Sequence, residues 1–278
     1  VALSGDAGDE LFQGYSRYAE FTNIYDRLVH LSGFRPFLLR RIPARAIGRF
    51  LGLLPHTWRK GPLAGERLRK AMSMIGLDPW EAYSQYLGQW VDPGDALQNP
   101  SSYLETQMAG PMVSAYPVES NTPVSRIISR HDFQGYLPDD VLVKVDRAAI
   151  AVSLETRAPL LDHRIVEFAY SLPESIRTLP GKALLRAIAI RRVPTEFLDR
   201  PKMGFGLPLR TWLRGPLREW AEDLLNPSTL ESQGYLKREI IHRRWREHIQ
   251  GRHDWSFSLW TVLMFQSWLR RKTGAQQR

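Results

Sequence analysis

The chain has no cysteine, which excludes a disulfide framework, a thiolate metal site and a cysteine nucleophile. Its histidines show no H-x-H or H-E-x-x-H spacing, so a histidine–zinc centre is not expected. No apolar run approaches about eighteen residues, and no charged-then-apolar leader opens the sequence. Together these absences predict a cytoplasmic chain with no membrane partner. Acid is scarce in one place: from Arg35 to Lys70, Glu66 alone faces a long series of arginines and lysines interleaved with leucines and phenylalanines. That stretch favours either a solvated helical face, whose arginine stems cover apolar surface, or a nucleic-acid or membrane-surface helix. The first is preferred, and no nucleic-acid partner is assigned. A net charge of +9 still implies polyanionic company. The 278 residues can bury a full core as one large domain or two modest ones. Val1 rather than Met stands first, in what reads as mid-strand, so a longer protein is expected.

The first fifteen residues organise the rest. Val1-Ala2-Leu3-Ser4 reads as the end of a buried strand, Gly5-Asp6-Ala7-Gly8 as a turn, and Asp9-Glu10-Leu11-Phe12 as the start of a helix running to about Leu31. Its apolar positions, Leu11, Tyr15, Tyr18, Phe21 and Leu28, recur at helical spacing. A strand passing through glycines into a helix points N–H groups and positive partial charge at whatever lies above it. Three carboxylates (Asp6, Asp9 and Glu10) crowd the same turn and would repel a bare phosphate. Mg²⁺, with its hard oxygen ligands, resolves the conflict by carrying the phosphates.

The segment Leu3-Ser4-Gly5-Asp6-Ala7-Gly8-Asp9-Glu10-Leu11-Phe12-Gln13-Gly14-Tyr15 resembles the LSGDGGDELFGGY motif in the synthetase domain of glutamine-dependent asparagine synthetases. Ala7 and Gln13 stand where that motif has glycine, and Ala7 is costly only if its backbone needs a positive φ. A second block runs from Leu137-Pro138-Asp139-Asp140 through Lys144-Val145-Asp146-Arg147 to Asp162-His163. It resembles the same family's LPDDxLxKxDRxSMAxSLExRxPFLDHxxxEFA segment. A third, Arg200-Pro201-Lys202-Met203-Gly204-Phe205-Gly206-Leu207-Pro208-Leu209, resembles RPKxGFGxPLxxWLR.

Along the second block, Pro159 is expected to stop a helix, and Asp162 to cap one that carries Ile165, Val166, Phe168, Ala169 and Leu172 inward. Asp146–Arg147 and Glu155–Arg157 read as buried ion pairs, a costly arrangement unless hydrogen-bonded. Lys144 and Arg147 are the better candidates to face an anionic substrate, because their helix is expected to begin beside the motif turn. Lys202, between Pro201 and Gly204-Phe205-Gly206, suits a closing cationic finger. Elsewhere Pro79 to Trp90, Gly181 to Val193, Pro216 to Leu225, Lys237 to Ile249 and Trp255 to Arg271 read as helices, the last with Phe257, Trp260, Met264 and Trp268 on one docked stripe. The tail from Lys272 is expected to fray.

As given, the chain is predicted to be mainly α, with one strand stub and many helices. The resemblance implies the C-terminal portion of an α/β ATP-pyrophosphatase-type (adenine nucleotide alpha hydrolase-like) synthetase domain over residues 1–278. It implies ATP and Mg²⁺ as cofactors, aspartate and glutamine-derived ammonia as substrates, and an upstream glutaminase domain as partner, with a homodimer left open. By that resemblance Asp9 ligates the metal, Asp6 acts as base or orients ammonia, and Ser4 and Gly5 meet the nucleotide. Lys202 and Gly204 meet the phosphates. The family's SGGxDS phosphate loop occurs nowhere in the sequence and is expected upstream of Val1, so this chain alone is predicted not to turn over ATP. The alternatives are an amidotransferase of the same family acting on another carboxylate, such as a sugar or peptide precursor, and a non-catalytic basic binding module over residues 35 to 70.

Overall fold

The computed structural model describes residues 1–30, 64–100, 121–198 and 206–276. Most of the basic stretch from Arg35, most of the Pro- and Ser-rich segment after residue 98, and the Lys202 and Gly204 loop lie outside the described residues. The described chain is mostly helical, with one short strand pair. β1 (Ala2–Leu3) and β2 (Thr156–Arg157) run parallel, Ala2 opposite Thr156 and Leu3 opposite Arg157. This corrects two expectations. There are two strands rather than one stub, and the helix expected to reach Pro159 ends at Ile150. The chain turns at Ser153, whose φ is +58°, and residues 156–157 then pair with β1 instead of continuing the helix. Leu3 is also 75% exposed. β1 has one neighbouring strand among the described residues.

The helices fall into two units. The first is drawn from described residues 1–30, 74–86 and 121–198, the second from 64–73, 87–100 and 206–276. In the first unit the expected helix to Leu31 is two helices, Gly8–Leu11 and Ser16–Val29. Gln13 at φ +55° breaks it, because a left-handed residue cannot continue a right-handed ladder. The apolar periodicity survives the break: Leu11, Tyr18, Phe21 and Leu28 are all buried. Helix Val124–Gln134 lies against both pieces. It leads through a π-helical turn at Leu137–Leu142, where Pro138 removes a donor, into helix Val143–Ile150.

Asp162 does cap helix His163–Ser171, accepting from the Arg164 amide at 2.9 Å. Ala169 faces inward, whereas Phe168 is 58% exposed. Phe168 lies one position before Ala169, about 100° round the helix from the buried stripe. A small cluster of Ala7, Leu11, Phe12, Leu137 and Ala169 fixes the motif turn on these helices.

The second unit closes helices Leu209–Arg214, Arg218–Leu224, Arg238–Ile249 and Ser256–Gln276 on an apolar core that includes Leu213, Leu230, Ile241, Leu259 and Leu263. The last helix extends through Gln276 rather than fraying after Arg271. Its inner face is Leu259, Val262, Leu263 and Gln266. The expected docked stripe is largely the outer one: Phe257, Met264 and Trp268 are exposed. Among the described residues no helix is long and apolar enough to cross a membrane.

Candidate functional site

β1 delivers the chain to Ser4, Gly5 and Asp6, and the backbone then makes a left-handed step at Ala7, φ +74°, before helix Gly8–Leu11. Gln13, the second non-glycine residue in this stretch with positive φ, ends it. Both positions are therefore ones where glycine is the low-strain choice, which explains the glycines of the motif this segment resembles. Two compensations are visible. The Ala7 side chain is buried in the small cluster, and Gln13 Nε2 donates to the Ser125 carbonyl at 2.6 Å. Gly14 has a different reason: a Cβ there would collide with the Asp9 carboxylate. Gly8 likewise packs tightly beneath Leu160 and Leu185.

The three acids of the turn separate into three environments. Asp6 accepts a hydrogen bond from Ser4 Oγ at 2.8 Å and is half-buried. Asp9 lies 2.9 Å from Lys182 Nζ, with both side chains about 30% exposed. Glu10 is turned inward, 1% exposed, and accepts from the Tyr15 hydroxyl at 2.8 Å. Burial raises the Glu10 carboxyl above its ordinary value, against the hydrogen bond from Tyr15. Glu10 therefore leaves the metal-binding trio that the sequence suggested, because its carboxylate is walled off by packing.

Among the described residues no three histidines or acids converge on one point. What remains fits Mg²⁺ in its usual mode, one or two carboxylates with substrate phosphates completing the shell. Asp9 Oδ1 is shielded from water, and its close charged neighbour is the Lys182 ammonium. Asp9 would be the protein's first ligand.

Lys182 was not singled out from the sequence. It sits at φ +57°, directly after Gly181 at φ +69°, at the start of helix Ala183–Ala189. The Gly-Lys pair before a helix was its one local signal. Of the other expected residues, Ser4 is half-buried beside Asp6 and Gly5 is exposed. Lys144 and Arg147 are exposed on helix Val143–Ile150. That helix packs on β2, the partner of β1. Two ion-pair expectations change. Glu155 and Arg157 do pair, at 2.7 Å, but in solvent, because the short β2 leaves both side chains outside. Asp146 and Arg147 are both exposed rather than buried.

A buried polar scaffold behind the turn was also missed. Helix Val124–Gln134 presents Ser125, Ser129 and Asp132 on one stripe, at i, i+4 and i+7. Asp132, fully buried, accepts from Arg17 Nη2 at 2.7 Å and from Tyr83 Oη at 2.9 Å. The Arg17 guanidinium also lies over the rings of Tyr15 and Tyr136. Burial pushes the Asp132 carboxyl up, but the adjacent His131 ring and the hydrogen-bonded Arg17 guanidinium outweigh it and hold the group below the usual range. By contrast, a groove of about 600 Å³ in the second unit, lined by Trp90, Leu97, Tyr235, Leu236 and Phe265 among others, has among the described residues no carboxylate, amine or histidine in its wall.

The profile of the asparagine synthase family covers residues 1–270, nearly the whole chain. The chain belongs to the asparagine synthase family. It is similar to glutamine-hydrolysing asparagine synthetase 1 of Bacillus subtilis (strain 168), at 28% identity over 274 residues, covering 96% of this chain and 40% of that protein. It is also similar to a Mycobacterium tuberculosis (strain ATCC 25618 / H37Rv) protein carrying the asparagine synthetase name, at 32% identity over 282 residues, 96% of this chain and 39% of that one. The human glutamine-hydrolysing asparagine synthetase matches at 30% over 143 residues, 44% of this chain and 24% of the protein. The chain thus spans about 40% of the length of the first two relatives. No solved structure matches it.

Proposed function

We propose that the motif turn is the adenylating site of an asparagine-forming synthetase, in which the aspartate side-chain carboxylate is activated by ATP and then captured by glutamine-derived ammonia. The observation that carries this reading is the Asp9–Lys182 pair at 2.9 Å on the first turn after β1. It brings an acid suited to a metal and a cation suited to a phosphate to one place. A carboxylate is a poor electrophile, and adenylation gives it a leaving group. Attack of one anion on another needs positive charge held in place beforehand. When bound, Mg²⁺ supplies Lewis-acid charge at the phosphates. Asp9 holds it, and Lys182 supplies a second, fixed cation once Asp9 is neutralised by the metal.

Asp6, oriented by Ser4 Oγ, accepts the proton released as ammonia adds to the acyl-adenylate. Ser4 and Gly5 line the nucleotide, Lys144 and Arg147 offer exposed charge to the anionic substrate, and Lys202 with Gly204 completes the phosphate side. The ATP-pyrophosphatase fold, the upstream glutaminase domain, a cytoplasmic location and a homodimer belong to the same proposal, and the relatives' names support its glutamine-hydrolysing half.

The choice of aspartate is tested by screening carboxylate acceptors, including carboxylate-bearing sugar and peptide precursors, for pyrophosphate release by the full-length protein. Aspartate is expected to give the highest kcat/KM. A preference for another acceptor would move the protein to the amidotransferase reading. If no acceptor released pyrophosphate, the site's assignment would fall.

A further inference from the structure

We propose that Arg177, acting with Ser129, is a positioning residue for the motif turn: a helix C-cap supplied from elsewhere in the chain that fixes where Asp9 points. The proposal rests on the adenylating role given to that turn.

Helix Gly8–Leu11 is a single turn, and a helix end leaves its last carbonyls without partners in the ladder. Three carbonyls here are satisfied locally. Leu11 N donates to Ala7 O, Phe12 N to Gly8 O, and Gly14 N to Asp9 O. The next two are capped from far away in sequence. Ser129 Oγ donates to Glu10 O at 2.6 Å, and Arg177 Nη1 donates to Leu11 O at 3.2 Å. Arg177 Nη1 also reaches Ser129 Oγ at 3.0 Å, so the two caps are joined.

The guanidinium itself is clamped. Nη2 and Nε contact the two oxygens of Glu174 at 2.6 and 3.3 Å, and Glu174 further accepts from Ser125 Oγ at 2.5 Å and Arg126 Nε at 3.2 Å. Arg177 is 1% exposed. Burying a charge this deeply is a poor way to gain stability, since a well-packed apolar residue often does as well. Arginine's planar fork with several donors suits it to locating groups in space. What it locates is the backbone of Glu10 and Leu11, immediately after Asp9. Release of those carbonyls would let the turn rotate about Gly8 and carry the Asp9 carboxylate away from Lys182.

Three variants of the full-length protein test this: Ser129→Ala, Arg177→Lys and Arg177→Met. The readouts are ATP–pyrophosphate exchange as a function of Mg²⁺, and amide hydrogen exchange peptide by peptide. Ser129→Ala, which removes a single oxygen, is expected to lower kcat about tenfold with the KM for the acceptor unchanged, and to speed exchange at residues 12–14 alone. Arg177→Met is expected to lose about a hundredfold, the scale of a misplaced reacting group. Arg177→Lys should recover part of that loss, because an ammonium reaches Leu11 O without the fork. Wild-type exchange kinetics in all three variants would overturn the proposal. So would a loss of activity accompanied by faster exchange throughout the first unit, which marks a merely structural residue. If the wild-type protein shows no ATP–pyrophosphate exchange, the adenylating role fails, while the hydrogen-exchange result still decides whether the cap exists.

Discussion

The two units hold themselves together by different means. In the second, the fully buried Leu213, Leu230 (on helix Pro227–Gln233), Ile241, Leu259 and Leu263 come from four helices and meet as shapes. Each contributes about 1.5–3 kcal/mol by leaving water, with no requirement for a particular partner atom. Behind the motif turn, named atoms must meet: Arg17 with Asp132 and Tyr83, Ser129 with Glu10 O, and Arg177 with Leu11 O and Glu174. An apolar core tolerates substitution by volume, whereas a polar lattice keeps one geometry or fails. The unit that carries the proposed chemistry is the one built for geometry.

The comparison can be broken first at its largest expected effects. Leu259→Ala should cost the second unit about 3–5 kcal/mol through cavity formation. Hydrogen exchange in residues 206–276 would read this while peptides of the first unit stay unchanged. Asp132→Ala should cost the first unit about 2–4 kcal/mol, since it leaves Arg17 and the Tyr83 hydroxyl without their acceptor. Arg17 is 24% exposed and regains some water, which keeps this value below that of a fully sealed pair. An Asp132→Ala protein with unchanged exchange in residues 1–30 would contradict the view that the motif unit depends on its polar lattice.

The pH dependence sharpens the contrast. For Glu174 and Asp132, burial raises the carboxyls, but hydrogen bonds from Arg177 and Ser125 outweigh it at the first, and the adjacent His131 ring with the Arg17 guanidinium outweighs it at the second. Both are held below their ordinary values of 4.5 and 3.8. Their contribution is therefore complete above those ordinary values and lost as pH falls through the depressed ones. In the second unit burial holds the enclosed His248 below its ordinary 6.5, so that unit should lose protection as pH falls from 6.5, before the carboxylates of the first unit protonate.

Glu10 runs the other way. Its folded pKa is raised, so the folded state is weakened as pH climbs from 4.5 through that higher value. Glu10→Gln should be more stable than wild type at neutral pH and lose that advantage in acid. A neutral or destabilising result at pH 7 would mean that the charged Glu10 is compensated after all.

These contrasts also mark what the sequence could show. Apolar residues at period 3.6 place three helices of the second unit, near 216–225, 237–249 and 255–271, and the buried positions Leu11, Tyr18, Phe21 and Leu28, because burial leaves a local periodic trace; the short helices Leu209–Arg214 and Pro227–Gln233 leave too little of one. The acids of the turn are legible as a group, since they lie within five residues of one another. Glu10's inward turn is not, because it depends on Tyr15 and on the helix above it. Lys182, Ser129 and Arg177 lie more than 110 residues from the turn they contact, and no spacing rule reaches that far. Phe257, Met264 and Trp268 read as core for the opposite reason: periodicity identifies a stripe but not which side of the helix the fold covers.

The smallest effects concern the backbone. Ala7→Gly and Gln13→Gly should each change stability by less than about 1 kcal/mol. Relief of the positive φ is offset by the lost buried methyl at Ala7, by the lost bond to Ser125 O at Gln13, and by the freer unfolded chain at both. A loss of more than 2–3 times about 1 kcal/mol at either site would show that the side chain, not the backbone, is what the position needs.

The most direct test of the adenylating site is the Mg²⁺ dependence of aspartate-driven ATP–pyrophosphate exchange in the full-length protein, compared with Asp9→Asn and Lys182→Ala. Asp9→Asn is predicted to require far more Mg²⁺ for half-maximal rate, and Lys182→Ala to lose kcat with its Mg²⁺ requirement little changed. Variants that both matched wild type would contradict the claim that this turn, with its acid and its lysine 2.9 Å apart, is where the carboxylate is activated.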